Sequence, residues 1–227
     1  MKIVLIAGMW LDARAWQQVT RELERLGHDV VAVGLPGQGA APTQASFADQ
    51  TAAVIAAVDQ AGGPVVVVGH SAAATLAWVA ADARPEVVTR VVMVGGFPVA
   101  DGAAYFDAVE PVDGTVVWPG WQAFAGPDSD DMDDAAKQLM DTHLHPVSSA
   151  ITHARVSLAD QRRHRVPITL VCPEFSVEDA KEWVASGQLT EFEKADHLDF
   201  VDIDSGHWPM YSKPVEFAAL LDEITRR

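Results

Sequence analysis

Residues 69–73 read Gly-His-Ser-Ala-Ala. Four consecutive β-branched residues, Val65 to Val68, precede them, and an alanine-rich run to Ala83 follows. The valines predict a strand buried on both faces. The alanines predict a helix, stopped by Arg84-Pro85. Ser71 therefore falls where a strand turns sharply into a helix, in a near match to G-x-S-x-G with Ala73 in place of the second glycine. Such a turn strains the serine backbone and needs small neighbours, which Gly69 and Ala73 supply. It lifts the hydroxyl to a helix N-terminus, where free N–H groups and partial positive charge stabilise a developing oxyanion. A serine at this position can also be a plain helix N-cap.

A nucleophilic serine needs a base. His207 stands in Ser205-Gly206-His207-Trp208-Pro209, directly after the last apolar strand pattern of the chain. Sites in open parallel sheets collect at the carboxyl ends of the strands, so the sheet brings Ser71 and His207 to one rim. Met9 follows the first strand, in Ala7-Gly8-Met9-Trp10. Gly8 permits a tight turn there, and the amides of Met9 and Ala72 are the expected oxyanion hole.

The elements that must position these groups alternate along the chain. Strands are expected at Lys2–Ala7, Asp29–Val33, Val65–Val68, Arg90–Val94, Val166–Cys172 and Leu198–Ile203. Helices are expected from Asp12 to Gly27, from Ser46 to Ala61, through the run ending at Ala83, from Val177 to Ser186, and from Pro214 to Arg227. Ser46 and Asp49 have the spacing of a capping box. The alternation predicts an α/β fold, a mostly parallel, doubly wound sheet. It lapses from Gly95 to Arg165, which shows no clear strand and reads as a short helical cap inserted over the sheet. The core is thus expected at 1–96 and 166–227 and the cap at 97–165. Within the cap, Asp128 to Asp134 is an acidic run, read as a solvated helix start. It lacks the spacing of a calcium loop, so no metal and no cofactor are expected.

Bulk properties agree with one globular domain. The chain has 227 residues, 49% of them hydrophobic and 21% charged. Sixteen Lys and Arg face 32 Asp and Glu, a net charge of −16, which repels nucleic acid and anionic lipid. The chain enters its first strand at once, has no apolar run of membrane-spanning length, and carries a single cysteine, Cys172. These features predict a cytoplasmic protein with a small-molecule substrate, no nucleic-acid or membrane partner, and a homodimer left open.

Taken together, Gly8-Met9-Trp10, Leu35-Pro36-Gly37-Gln38-Gly39, Gly69-His70-Ser71-Ala72-Ala73, Gly206-His207-Trp208-Pro209-Met210 and Ser212-Lys213-Pro214 resemble the α/β-hydrolase superfamily. Within it they are most similar to the small plant-type esterase and hydroxynitrile lyase clan and its bacterial relatives. Two positions depart from that pattern. The His-Gly before the oxyanion residue is Ala7-Gly8 here. The acid, an Asp shortly after the penultimate strand in the resembled family, is absent from Cys172-Pro173-Glu174-Phe175-Ser176. Glu174 is the nearest carboxylate, with Asp179 and Asp101 as alternatives and a Ser–His dyad as a further one.

The resemblance implies a serine hydrolase that cleaves a small or medium uncharged ester or lactone through an acyl-enzyme on Ser71. A lyase or cyclase using Ser71 and His207 for proton transfer is the alternative, as is a non-catalytic ligand-binding member of the same fold. Trp10, His70, Phe97, Trp118, Trp121, Trp208 and Met210 are the expected substrate-binding residues. Trp16 and Trp78, on helical faces, are expected in the core.

Overall fold

A computed structural model describes residues 1–39 and 44–227. In chain order, β1 (Lys2–Ile6) leads through a short 3-10 turn into α1 (Gln17–Arg25) and β2 (Asp29–Ala32). Next come α2 (Phe47–Ala61), β3 (Val65–His70), α3 (Ala73–Ala83) and β4 (Val88–Val94). The inserted segment holds β5 (Thr115–Val116), α4 (Asp134–Asp141), β6 (Val147–Ser148) and α5 (Ser149–Thr152). The chain returns with β7 (Ile168–Cys172), α6 (Val177–Ala185), α7 (Thr190–Glu193), β8 (Leu198–Asp202), α8 (Pro209–Ser212) and α9 (Pro214–Thr225).

Six strands form one sheet in the order β2-β1-β3-β4-β7-β8, and each adjacent pair is parallel. Parallel strands need crossovers, and the crossovers cover both faces with helices. The strand residues alternate between two cores accordingly. Val65, Val67, Val91 and Met93 pack on one side with α2, α3 and α6. Val66, Val68, Val92 and Val94 pack on the other with α1 and α9. Every residue of α3 from Ala73 to Ala81 is buried, because alanines let this helix lie close on the sheet. Trp16 and Trp78 are fully buried, as expected.

Local chemistry explains the element ends. Ser46 and Asp49 form a reciprocal capping box, a device that contributes about 1 kcal/mol. Asp12 accepts from the Arg14 amide and opens the first helical stretch as a 3-10 turn over Ala13–Trp16 rather than as α-helix. The inserted segment was expected without strands. It carries the two-residue antiparallel pair β5–β6, whose register pairs Thr115 with Ser148 and Val116 with Val147. Two strands this short leave no sequence periodicity to read. The short helices α7 and α8 were also missed, for the same reason.

One buried polar knot ties the insertion's end to the helices below. Glu191 accepts from Trp78 Nε1 at 2.9 Å and from Arg163 Nε at 3.0 Å, and Arg163 also reaches Asp82 at 3.1 Å. Burial alone would raise the Glu191 pKa, but the Trp78 and Arg163 donors prevail and hold it at about 2. No described helix is long and apolar enough to cross a membrane.

Candidate active site

Ser71 sits at the β3–α3 junction with φ of 52°. That is the left-handed region, which costs a non-glycine residue about 1–3 kcal/mol and persists only where the surroundings enforce it. Three constraints enforce it here. The Ser71 amide donates to the Val94 carbonyl at 2.8 Å. Gly69 lies so close to the next turn that a Cβ there would be 2.7 Å from the Ala73 carbonyl carbon. Gly96, just past β4, presses on the Ser71 backbone, where a Cβ would lie 2.7 Å from its carbonyl carbon and 2.8 Å from its Cα. Ala73 stands where the motif has its second glycine, and the close contact there is made by its backbone against Gly69.

His207 lies across one cavity from Ser71, in the loop after β8. Its Nδ1 donates to Glu174 Oε1 at 2.7 Å, which fixes the ring orientation and leaves Nε2 as the free ring nitrogen. No hydrogen bond joins Ser71 Oγ to the ring among the described residues. Such contacts are often long without substrate and tighten on binding. The loop is held at both ends. The His207 amide donates to the Asp128 carbonyl at 2.8 Å, and His70 Nε2 donates to the His207 carbonyl at 2.8 Å. His70 is itself fully buried, and burial, with His207 nearby, holds its pKa well below the usual imidazole range. It is a neutral strut with its ring on the cavity floor.

The other two acid alternatives are placed elsewhere. Asp179 accepts from the Ser176 hydroxyl and amide as the N3 partner of a second capping box, at the start of α6. Asp101 accepts from the Leu158 amide at 2.8 Å and ties two stretches of the insertion together. Of the three, Glu174 alone reaches the imidazole.

Of the two expected oxyanion residues, Met9 is on the turn after β1 and Ala72 is at the β3–α3 junction. Trp10 takes φ of 67°, and Gly8 is packed against His70, where a Cβ would lie 2.7 Å from Nδ1. Neither the Met9 nor the Ala72 amide is occupied by an acceptor elsewhere among the described residues. Gln38 belongs to the Leu35–Gly39 stretch that carries part of the resemblance, but the sequence gives it no role. Its buried amide donates to the carbonyls of Gly8 at 2.8 Å and Leu11 at 2.9 Å, and so pins this turn from outside. The insertion grips the same turn. His145 N donates to the Trp10 carbonyl at 2.8 Å, Asp12 N to the His143 carbonyl at 3.3 Å, and Trp10 Nε1 to the Val116 carbonyl at 3.2 Å.

The cavity shared by Ser71 and His207 has a volume of about 360 Å³. The core supplies Met9, Trp10 and Trp208 from loops and His70 from the end of β3 to its wall. The insertion supplies Phe106, Ala108, Val109, Pro119, Ala123 and Phe124, none of which the sequence singled out. Four of the expected binding residues stand elsewhere. Trp118 lies behind the wall, stacked on Phe124 at 4.7 Å and edge-on to Trp10 at 5.3 Å. Trp121 packs on Trp208 and donates to Asp141. Met210 is buried with the α1–α9 core, because α8 turns it inward. Phe97 borders a second recess of about 210 Å³, which meets the cavity at Ser71 and is also lined by Ala72, Thr75, Tyr105 and Phe106. A larger recess of about 480 Å³ between α2 and the insertion contains none of these groups. Cys172, at the end of β7, is buried, and that burial, with Asp202 nearby, pushes its thiol up to about 12, so it offers no thiolate.

A parallel sheet with a serine on the β3–α3 elbow, a carboxylate after the next-to-last strand and a histidine after the last is the architecture of an α/β hydrolase. The chain belongs to that group: the model of the alpha/beta hydrolase family matches residues 3–220. Methylesterase 7 of Arabidopsis thaliana is 27% identical over 252 residues, covering 98% of this chain and 95% of that protein. Lipase LipV of Mycobacterium tuberculosis is 26% identical over 251 residues, covering 97% of this chain and 91% of that one. Among solved structures, an extracellular alpha/beta-hydrolase from a Paenibacillus species superposes with a TM-score of 0.79 at 18% identity, covering 98% of each chain. Its published description relates it to tobacco salicylic acid binding protein 2.

Proposed function

We propose that this chain is a serine esterase acting on uncharged carboxylic esters or lactones of small to medium size. The observation that carries the reading is the 2.7 Å contact from Glu174 Oε1 to His207 Nδ1, the histidine that lines one cavity with the strained Ser71. In this reading His207 Nε2 takes the Ser71 proton as Oγ attacks the ester carbonyl. Negative charge develops on the carbonyl oxygen between the Met9 and Ala72 amides. The intermediate collapses, the C–O bond to the alcohol breaks, and His207 returns the proton to the leaving oxygen. Water, deprotonated by His207, then cleaves the acyl-enzyme and frees the acid and Ser71. Glu174 holds the tautomer and stabilises the imidazolium formed in both halves.

The cavity supports an apolar acyl group, since Trp10, Phe106, Phe124 and Trp208 wall it and no Lys or Arg lines it among the described residues. The smaller recess on the far side of Ser71 suits a small alcohol, in keeping with the name of the methylesterase relative. The intact histidine–carboxylate contact weighs against a silent binding protein.

The test is p-nitrophenyl acetate hydrolysis together with fluorophosphonate labelling, in the wild type and in Ser71→Ala. Turnover and labelling are expected in the wild type and lost in the variant. An unlabelled wild type, or a hydrolytic Ser71→Ala, overturns the proposal. Labelling without turnover across an ester panel would point instead to a lyase or cyclase.

A further inference from the structure

A second carboxylate stands beside the histidine, and it comes from the insertion. Asp128 belongs to the acidic run read from the sequence as a solvated helix start. The helix start is in fact Asp133, whose side chain caps α4 by accepting from Ala136 N. Asp128 lies five residues earlier and is only partly exposed. One oxygen each of Asp128 and Glu174 and one ring nitrogen of His207 lie within 4.8 Å of one another. The backbone fixes this placement. The Asp128 carbonyl accepts the His207 amide, and Gly206 packs so closely on it that a Cβ would lie 2.9 Å from the Asp128 carbonyl carbon.

We propose that Asp128 is a positioning residue for the catalytic histidine, a second anion that stabilises the His207 imidazolium and supports the ring when Glu174 is removed. The inference rests on the esterase reading for its catalytic consequence, but not for its electrostatics. An opposite charge within about 4–6 Å favours the charged form of an ionisable group, and a half-buried site is poorly screened. Among the described residues, the charged groups facing His207 are Glu174 from the β7–α6 loop and Asp128 from the insertion. His70, packed on the ring from β3, is held neutral by burial. Asp131, on the same stretch as Asp128, accepts instead from the Ser205 hydroxyl at 3.1 Å. Burial and the neighbouring Glu174 raise the Asp128 pKa, while the His207 charge opposes them. That is the mutual coupling expected of groups in one electrostatic unit. A divalent cation would also find donors here, but Nδ1 and Oε1 already satisfy each other at 2.7 Å.

The sequence signal was weak because Asp128 and His207 are far apart along the chain and the intervening acidic residues mask it. The fold brings them together by laying the loop before α4 across the loop after β8.

The experiment is an NMR titration of the His207 imidazole, assigned by its loss in His207→Gln, in the wild type, Asp128→Asn and Asp131→Asn. Removing a facing anion lowers an imidazole pKa, so the midpoint is expected to fall by about one pH unit in Asp128→Asn and to stay in place in Asp131→Asn. The amide variant keeps both the side-chain size and the backbone carbonyl that holds the loop. In kinetics, the acid limb of kcat/KM for p-nitrophenyl acetate is expected to move to lower pH in the same variant. Glu174→Gln should retain activity at least about tenfold above the Glu174→Gln/Asp128→Asn double variant, a larger loss than Asp128→Asn causes in the wild-type background. An unmoved midpoint in Asp128→Asn, an equal shift in Asp131→Asn, or additive losses in the double variant would overturn the proposal. The NMR titration needs no turnover, so an inactive wild type would defeat the esterase reading and still leave this one decided.

Discussion

Gly96→Ala tests whether the strained elbow is enforced by its neighbours. A Cβ at this position would lie 2.7 Å from the Ser71 carbonyl carbon and 2.8 Å from its Cα, about 0.8 Å short of the roughly 3.5 Å that carbon atoms prefer. The obstacle is backbone, not the end of a flexible side chain, and Ser71 is already tied to Val94. The strain therefore goes into moving Ser71 by most of an ångström. Overpacking of this kind costs about 1–3 kcal/mol of stability. A misplacement near 1 Å costs a reaction on the order of 100-fold. The expected result is a drop of about 100-fold in kcat/KM for p-nitrophenyl acetate, slower fluorophosphonate labelling of Ser71, and a lowered but cooperative thermal transition. Gly63→Ala is the control, since a Cβ there meets nothing within 4 Å, and it should leave both readouts near wild type. If Gly96→Ala keeps activity within about twofold, the elbow is not held from the β4 side and the account of its strain is wrong.

Two further perturbations separate site from scaffold. Glu174→Gln should lower kcat by up to about 10⁴-fold, as loss of a triad acid does. Asp179→Asn and Asp101→Asn should leave kcat near wild type and lower the melting midpoint, in the first case by weakening the N3 arm of the Ser176 capping box; steady-state kinetics with parallel thermal melts on all three would expose a misassigned acid. Glu191→Gln should destabilise the fold by about 3–5 kcal/mol, because it leaves Arg163 buried with a weakened partner. The Glu191 pKa is depressed in the folded protein, to about 2 from an ordinary 4.5. Its contribution is therefore complete above pH 4.5 and fades as pH falls through that interval. Urea unfolding across this range should show a wild-type decline that is shallower in Glu191→Gln, the remainder coming from carboxylates such as Asp12 and Asp160 that are also held below their ordinary range.

The parts of the fold that repeat a local rule were legible in the residues. Buried valine runs, an alanine-rich helix and a serine between them specify the sheet and its elbow, and β8 ends where the pattern places it, just before His207. The nearest-carboxylate argument puts Glu174 at the imidazole. Asp179 shows a signal present but weighed differently: Ser176-x-x-Asp179 has the same spacing as Ser46-x-x-Asp49, and both are capping boxes. Other features lie beyond any local rule. Phe106 and Phe124 wall the cavity from a segment with no periodicity, Gln38 reaches Gly8 from 30 residues away, and Asp128 meets His207 although β7 and β8 lie between them in the chain. Each depends on how the insertion settles on the sheet, which is a property of the whole packed molecule.

The seam between the insertion and the turn after β1 has a mechanical consequence. His145 and His143 join that turn through backbone bonds on either side of Leu144, which itself bridges to Leu11. Lifting the roof would peel away the same peptide groups that orient the Met9 amide. In the proposed mechanism chemistry and enclosure are thus interlocked: with the roof raised, Ser71 would lose one of the two amides proposed to receive the oxyanion.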